Sequence, residues 1–215
     1  MAEKQGKQAS EHPGGLTFGD LAEAADPFAL IGQWMAEAAQ AEPNADAAAL
    51  ASVDSSGLPN ARMVLVKEIG PKGLAFYTNT ESAKGRELDA GLKAALVFYW
   101  KSLDRQVRVR GAIERVSEEE ADAYFASRPR GAQIGAWASA QSRPLASRKQ
   151  LEDAVAATEK KYEKQPVPRP PHWTGYRLIP LIIEFWAERP FRLHDRVLFE
   201  RASAGAAWRK SRLYP

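Results

Sequence analysis

The sequence feature that most limits the fold is a change of hydrophobic period near residue 47. Upstream of it, Ile31, Trp34 and Ala38 recur at helical spacing behind a helix start at Asp26-Pro27. Downstream of it, alternating segments predict strands over 47–54, 60–69, 74–79, 93–101 and 104–116. Turn-forming residues such as Ser-Ser-Gly and Gly-Pro-Lys-Gly separate neighbouring segments, so antiparallel hairpins are favoured over parallel strands joined by helices.

The rest of the chain alternates between helix and strand signals. Helices are predicted over 82–91, after the capping box Ser117-x-x-Glu120, over 130–139, and after Ser147-x-x-Gln150. Strands are predicted again over 174–178, 180–188, 191–200 and 206–212. We therefore expect a mainly β protein, an antiparallel sheet or barrel of about eight strands with peripheral helices. Residues 1–20 are expected to form a flexible tail and residues 21–215 a single domain.

Composition excludes several classes of site. The 215 residues include no cysteine, so disulfide scaffolds, zinc–thiolate sites, iron–sulfur clusters and thiol catalysis are all ruled out. The longest apolar run, 94–100, is far too short to span a bilayer, and the polar N-terminus carries no signal-peptide pattern. A net charge of +3 is too small for a dedicated nucleic-acid binder. We expect a cytoplasmic protein that binds neither membrane nor nucleic acid.

Two segments have the residue types of anion sites. The strand 62–67 carries a cation at each end, Arg62 and Lys67, with apolar residues between them. Thr78 and Lys84 flank a predicted helix start, where free backbone N–H groups and the helix dipole favour a phosphate. A solvated edge strand and ordinary helix capping explain the same residues, so both interpretations stay open at this point.

Two further groups suggest recognition of a charged ligand. Tyr124 and Arg128 lie one helical turn apart, where a hydroxyl and a guanidinium can bind one phosphate. Arg192, His194 and Arg196 alternate in a predicted strand and would share one face. Such a cluster is costly unless a ligand occupies it. A surface Arg beside a half-buried Tyr, and a structural His, are the alternatives.

Taken together, these residues resemble the pyridoxine/pyridoxamine 5′-phosphate oxidase family over roughly residues 25–215. The matching segments are Arg62-Met-Val-Leu-Val-Lys67, Tyr77-Thr78, Lys84, Arg105-Gln106, Tyr124-Phe-x-Ser-Arg128-Pro, Gln133-Ile-Gly-Ala-Trp, Gln141-Ser142, Ile183-Glu-Phe-Trp186 and Arg192-Leu-His-Asp-Arg196. The resemblance implies a split-barrel homodimer with FMN at the subunit interface. It also implies oxidation of pyridoxine or pyridoxamine 5′-phosphate to pyridoxal 5′-phosphate, with O₂ as acceptor and H₂O₂ released, in vitamin B6 synthesis. No metal is implied.

The resemblance also assigns roles to residues. It places FMN against Arg62, Met63, Val64, Leu65, Val66, Lys67, Tyr77, Thr78, Lys84, Gln106, Gln141, Ser142, Trp186 and Arg196. It assigns the substrate to Lys67, Tyr124, Arg128, Arg192 and His194, of which the last two are the expected catalytic residues.

This chain departs from the family pattern at three places. Ala83 stands where the family often has Arg, and we expect Arg86 to replace that cation. Ala132 stands where the family often has Ser, so a donor to the substrate phosphate is missing. The N-terminus lacks the basic and aromatic segment that some members fold over the substrate. Two alternatives remain, namely a split-barrel flavoprotein with another substrate, such as a flavin reductase, and a non-catalytic module that carries pyridoxal phosphate or weakly binds nucleic acid.

Overall fold

The computed structural model describes Leu21 and residues 23–215. The predicted tail, 1–20, lies outside the described residues. Eight antiparallel strands form one sheet in the order β3-β2-β1-β4-β5-β6-β7-β8, and β3 also pairs with β6. Their bounds are β1 Ala47–Val53, β2 Pro59–Gly70, β3 Gly73–Asn79, β4 Lys93–Trp100, β5 Arg105–Arg115, β6 Trp173–Ala187, β7 Asp195–Glu200 and β8 Arg209–Leu213. The first six strands therefore close into a barrel, which confirms the predicted antiparallel architecture.

The predicted break between the strands 174–178 and 180–188 is wrong. β6 continues through Pro180 because a bulge lies there: Arg110 pairs with Ile182, whereas Gly111 pairs with Pro180. A Cβ added at Gly111 would lie 1.9 Å from the carbonyl oxygen of Ile179, so only glycine permits this approach of the two backbones. The single long strand joins the barrel to the β7–β8 hairpin.

Five helices lie between or before the strands in the described part of the chain. They are α1 Pro27–Ala41, α2 Ala83–Gly91, α3 Glu118–Ser127, α4 Arg130–Ala138 and α5 Arg148–Lys161. Asp26 caps α1 and Ser147 caps α5, as predicted. The capping box of Ser117 and Glu120 is also confirmed, with both reciprocal bonds present. Among the described residues, no helix combines the length and the apolar character needed to cross a bilayer.

The main core fills the barrel and continues under α1. Trp34 of α1 packs edge-on against Phe185 and Trp100, with ring centroids 5.3 and 6.5 Å apart. Leu50, Phe76, Leu96, Phe98, Val107 and Val109 are fully buried inside the barrel. A second, smaller cluster forms beside the barrel, where Phe125, Ile134 and Trp173 pack together. That cluster fixes α3 and α4 against the end of β3, where the site described next is found.

Candidate functional site

The first part of the site lies at the N-terminus of α2. Lys84 donates to the hydroxyl of Thr78 at 3.0 Å and to Oε1 of Gln141 at 2.9 Å, with the Ser82 hydroxyl at 3.4 Å. All three acceptors are neutral. Ser82 also caps the helix, because its hydroxyl accepts the Gly85 N–H. The structure therefore brings together three predicted residues, Thr78, Lys84 and Gln141, around an ammonium group without a carboxylate.

A second cation faces Lys84 from strand β2. Burial, and next the positive charge of Arg62, lower the pKa of Lys84, while the carboxylate of Glu87 opposes this shift. Lys84 lies at a helix N-terminus, where the helix dipole adds to its field and favours an anion, whereas the charge of Arg62 is offset by Glu87. An anion bound here would offset the burial of Lys84.

Arg62 is held by a buried carboxylate that sequence reasoning missed. Its Nη2 atom lies 2.7 Å from Oε2 of Glu87, and its Nη1 donates to the hydroxyl of Ser52. Glu87 also accepts from Ser52 at 2.5 Å and from Asn60 at 2.9 Å. Burial alone would raise the pKa of Glu87, but the hydrogen bonds from these three side chains keep it below its usual value. The sequence offers one signal for Glu87 as a site residue: it follows Lys84 by three residues on α2 and therefore lies on the same helix face.

The aromatic part of the site lies at the end of β3. The ring of Tyr77 stacks on that of Tyr124 with centroids 3.9 Å apart, and Trp173 lies nearly parallel to both. The hydroxyl of Tyr77 donates to Oε1 of Glu68 at 2.9 Å. Burial and this bond raise the pKa of Tyr77, so its hydroxyl stays protonated. Tyr77 and Tyr124, predicted for cofactor and substrate respectively, are thus direct neighbours.

Arg128 follows α3 and lies against aromatic rings. Its Nη1 atom is buried without a hydrogen-bond acceptor, and no ion pair to it is found in the described part of the chain. Its guanidinium carbon lies 4.8 Å from the ring centroid of Trp173 and 5.7 Å from that of Phe125. Burial lowers the pKa of Arg128, while the nearby Tyr124 acts in the opposite direction.

The third part of the site is a row of side chains across the neighbouring strands β5, β6 and β7. Gln106 pairs with Trp186, and Trp186 pairs with Arg196, so the three predicted side chains share one face of the sheet. Arg196 donates to Oε1 of Glu184 at 2.8 Å, and Arg108 donates to the other carboxylate oxygen. Burial would raise the pKa of Glu184, but these two arginines together lower it.

The prediction that Arg192, His194 and Arg196 share one strand face is wrong. Strand β7 begins only at Asp195, and Pro190–Arg192 form a 3₁₀ turn. Phe191 and Arg192 have positive φ values of 60° and 64°, which end the extended backbone, and Arg192 is exposed. His194 instead packs on Trp186 at a centroid distance of 4.7 Å. Its Nδ1 accepts the Arg189 N–H at 3.2 Å, so the neutral ring carries its proton on Nε2.

The segment after Arg62 alternates as predicted. Val64 and Val66 lie on the inner side of the sheet, whereas Met63 and Leu65 are 63% and 44% exposed. Lys67 forms an ion pair with Asp46, Nζ to Oδ2, at 2.5 Å. This partner was not found from the sequence, because the two residues are 21 positions apart.

Two separate groups can be distinguished among the predicted site residues. One contains Arg62, Lys84, Thr78 and Gln141, with the exposed Ser142 next to Gln141 in the chain, at a φ of 71°. The other contains Gln106, Trp186, His194 and Arg196. No side-chain hydrogen bond or ion pair between described residues joins the two groups.

Comparison with known proteins now decides the family. The family profile described as "Pyridoxamine 5′-phosphate oxidase" matches residues 35–162. A second profile, "Pyridoxine 5′-phosphate oxidase C-terminal dimerisation region", matches residues 173–215. The chain belongs to the pyridoxamine 5′-phosphate oxidase family.

Curated relatives in this oxidase family are similar over almost their full length. A protein of Azorhizobium caulinodans named "Pyridoxine/pyridoxamine 5′-phosphate oxidase" is 61% identical over 96% of this chain and 98% of its own. A protein of Brucella canis with the same name is 59% identical over 91% of this chain and 97% of its own.

Solved structures of the pyridoxamine 5′-phosphate oxidase fold are also similar. PhzG from Burkholderia lata 383, solved with tetrahydrophenazine-1-carboxylic acid, superposes with a TM-score of 0.86 at 32% identity, covering 94% of this chain and 98% of PhzG. An FMN-binding protein of Nostoc punctiforme PCC 73102, related to pyridoxamine 5′-phosphate oxidase, gives a TM-score of 0.72 at 17% identity, with 89% and 100% of the two chains covered. The second likeness concerns the fold alone.

Proposed function

We propose that the protein is an FMN-dependent oxidase that converts pyridoxine or pyridoxamine 5′-phosphate into pyridoxal 5′-phosphate, with O₂ as acceptor and H₂O₂ as product. The observation that carries this proposal is the pair of separate anion sites. One is the ammonium group of Lys84 beside Arg62, whose own charge is offset by Glu87, and the other is the guanidinium of Arg128, for which no ion pair is found among the described residues. An enzyme that binds a phosphorylated cofactor and a phosphorylated substrate needs two such sites.

The residues at the start of α2 fit the phosphate of FMN. Lys84 is partly buried beside Arg62, and the hydrogen bonds of its ammonium group go to neutral oxygens, so a phosphate would supply the missing negative charge. Thr78 and Gln141 supply a hydroxyl and an amide at the same place. The carboxylate of Glu87 is already occupied by Arg62, Ser52 and Asn60, so it is not a hydrogen-bond partner of Lys84. When bound, FMN supplies hydride-accepting chemistry.

The substrate is proposed to bind with its phosphate at Arg128 and Tyr124. The buried Nη1 of Arg128 marks a site where positive charge is not compensated. Lys67 is assigned to the same phosphate. The phosphate would then compete with the carboxylate of Asp46 for the ammonium group of Lys67. Binding energy at the phosphate is remote from the reacting carbon and can position it. At the end of the substrate opposite the phosphate, the proposed hydrogen-bond donors are Nε2–H of His194 and the exposed guanidinium of Arg192. They would donate to the 3-oxygen attached to the pyridine ring.

A homodimer with FMN at its interface is the proposed assembly. The C-terminal profile is named for dimerisation, which supports it. The outer face of β1, β2 and β4 is apolar, with Met63 and Tyr99 63% and 50% exposed. A second copy of the chain would cover this face. The two separate groups of site residues would then meet across the interface, one group from each protomer. We also propose that residues 21–215 act as a single domain and that the enzyme is cytoplasmic.

The first experiment is an absorbance spectrum of the purified protein, followed by addition of pyridoxine 5′-phosphate without oxygen. We expect visible flavin absorbance that disappears on addition and returns with air. Flavin absorbance that persists would reject the substrate while keeping the cofactor. A colourless protein that FMN cannot reconstitute would reject the oxidase proposal altogether.

A related oxidase acting on another compound is the second candidate, and the likeness to PhzG favours it. Unphosphorylated pyridoxine separates the two, because an enzyme built around Arg128 needs the phosphate. We expect its kcat/KM to be at least about a thousandfold below that of pyridoxine 5′-phosphate. Turnover of neither compound, or equal turnover of both, would favour the second candidate.

A further inference from the structure

Two arginines that contact helix α3 are neutralised by its carboxylates. Arg169, 11% exposed at its side chain, donates to Asp122 at 2.6 Å and also to Glu118. The side chain of Arg177, 5% exposed, lies 3.2 Å from Glu68 and 2.8 Å from Glu120. Each of these guanidinium groups therefore has two carboxylates.

Arg128, at the C-terminal end of α3, differs from these two arginines. Its contacts are with aromatic rings, Trp173 at 4.8 Å and Phe125 at 5.7 Å from the guanidinium carbon. Rings attract a cation through their quadrupole without cancelling its charge. A carboxylate in the same place would offset the charge of Arg128 and would compete with a bound phosphate.

We propose that Trp173 is a positioning residue that holds the guanidinium of Arg128 ready for the phosphate group of the substrate. This inference rests on the proposed function, in which Arg128 binds that phosphate. Trp173 contributes through Arg128 and not through a contact of its own with the substrate. It replaces the carboxylate that fixes each of the two neighbouring arginines.

The ring of Trp173 is itself fixed to the helix that precedes Arg128. The backbone carbonyl of Trp173 accepts a hydrogen bond from Nη1 of Arg169 at 2.7 Å. Arg169 in turn donates a hydrogen bond to Asp122 on α3. Trp173 is 5% exposed and packs edge-on against Phe125, with centroids 5.1 Å apart. Trp173 and Arg128 are thus attached to the same helix, so their relative position is set before any ligand binds.

The test is a double-mutant cycle on the FMN-loaded enzyme. Trp173→Leu, Arg128→Gln and the double variant are compared with the parent for KM and kcat with pyridoxine 5′-phosphate. Affinity for 4-deoxypyridoxine 5′-phosphate, which lacks the hydroxyl that is oxidised, is measured by calorimetry as a readout independent of turnover. We expect Trp173→Leu to raise KM and this dissociation constant about tenfold, with kcat changed less than about twofold.

The decisive result is the effect of Trp173→Leu when Arg128 is already Gln. If Trp173 acts by positioning Arg128, adding Trp173→Leu to Arg128→Gln should change KM and the dissociation constant by less than about twofold. If Trp173 has only a structural role, Trp173→Leu should raise KM as much in the Arg128→Gln background as in the parent. That result would overturn the inference. If Arg128→Gln alone leaves KM unchanged, the phosphate assignment in the proposed function fails and the inference fails with it.

A milder pair of variants keeps the test available if Trp173→Leu does not fold. Trp173→Phe keeps an aromatic ring, but one with a weaker quadrupole. We expect this substitution to raise KM about threefold when Arg128 is present and to leave KM unchanged in the Arg128→Gln background. The matched control is Trp137→Phe in the same cluster, where the tryptophan ring lies 5.1 Å from Lys161 instead. Its KM should equal that of the parent, and an equal rise in both Phe variants would overturn the inference.

Discussion

Arg62 and Glu87 form an ion pair in which Nη2 and Oε2 lie 2.7 Å apart, and the carboxylate side is almost fully buried. Glu87 accepts two further hydrogen bonds, from Ser52 and Asn60. The pair connects strand β2 to helix α2, whose N-terminus carries Lys84. It therefore fixes the distance between the two cations that are proposed to bind the FMN phosphate.

Removal of the charge on Glu87 should destabilise the protein. In Glu87→Gln, Arg62 stays partly buried without its carboxylate, and we expect the free energy of unfolding at pH 7 to fall by about 2–3 kcal/mol. Because the pKa of Glu87 is lowered on folding, its contribution is complete above the usual value of 4.5 and is lost as the pH falls further. Urea unfolding of variant and parent should therefore differ at neutral pH and converge below pH 4.5. Glu114→Gln, at an exposed carboxylate on β5, is the control and should match the parent at both pH values.

A methyl group at Gly85 should disrupt the start of α2. An added Cβ would lie 2.3 Å from the carbonyl oxygen of Thr80, a backbone atom that cannot move aside. We expect Gly85→Ala to lower the free energy of unfolding by about 1–3 kcal/mol and to weaken FMN binding, since Lys84 is displaced with the helix. Gly91→Ala on the same helix is the matched control, because the nearest atom to its Cβ is 3.9 Å away. Thermal unfolding and FMN fluorescence quenching measure the two effects, and equal behaviour of both variants would contradict the explanation.

The barrel was predictable because its signals are local. Period-two alternation and the turn residues between 47 and 116 gave strands close to those observed, and Ser117 and Ser147 marked two helix starts. The single strand through Pro180 was missed, because the bulge that accommodates it depends on Gly111 of another strand.

The site was only partly predictable, for a related reason. Lys84, Thr78 and Gln141 do come together, but their assignment came from family resemblance and not from spacing. Glu87 pairs with a residue 25 positions away, which no local pattern reveals. Alternation of residue types predicts a strand at Arg192, where the structure has a turn, because this alternation is the same whether or not the backbone is extended.

Restoring the missing hydroxyl at Ala132 should strengthen capture of the substrate. Ala132 lies half-buried in the first turn of α4, two residues after Arg130, close in sequence to Arg128. A hydroxyl there that donates to the substrate phosphate would contribute about 1.5–3 kcal/mol. We expect Ala132→Ser to lower KM for pyridoxine 5′-phosphate at least about tenfold while kcat stays nearly constant. Steady-state kinetics check this, and an unchanged KM would show that the hydroxyl does not reach the phosphate.

Complementation between two inactive variants should reveal whether each active site is shared by two chains. Lys84→Met removes a cation from one group of site residues, and Arg196→Met removes one from the other group. In a mixed dimer, one of the two sites would combine both substitutions, and the other would have both groups intact. Equal mixing with random exchange gives mixed dimers half of the time, so about one quarter of the parent activity should return. The flavin content should rise in parallel. If both groups of one site came from the same chain, every site in the mixture would carry a substitution, and mixing would restore nothing.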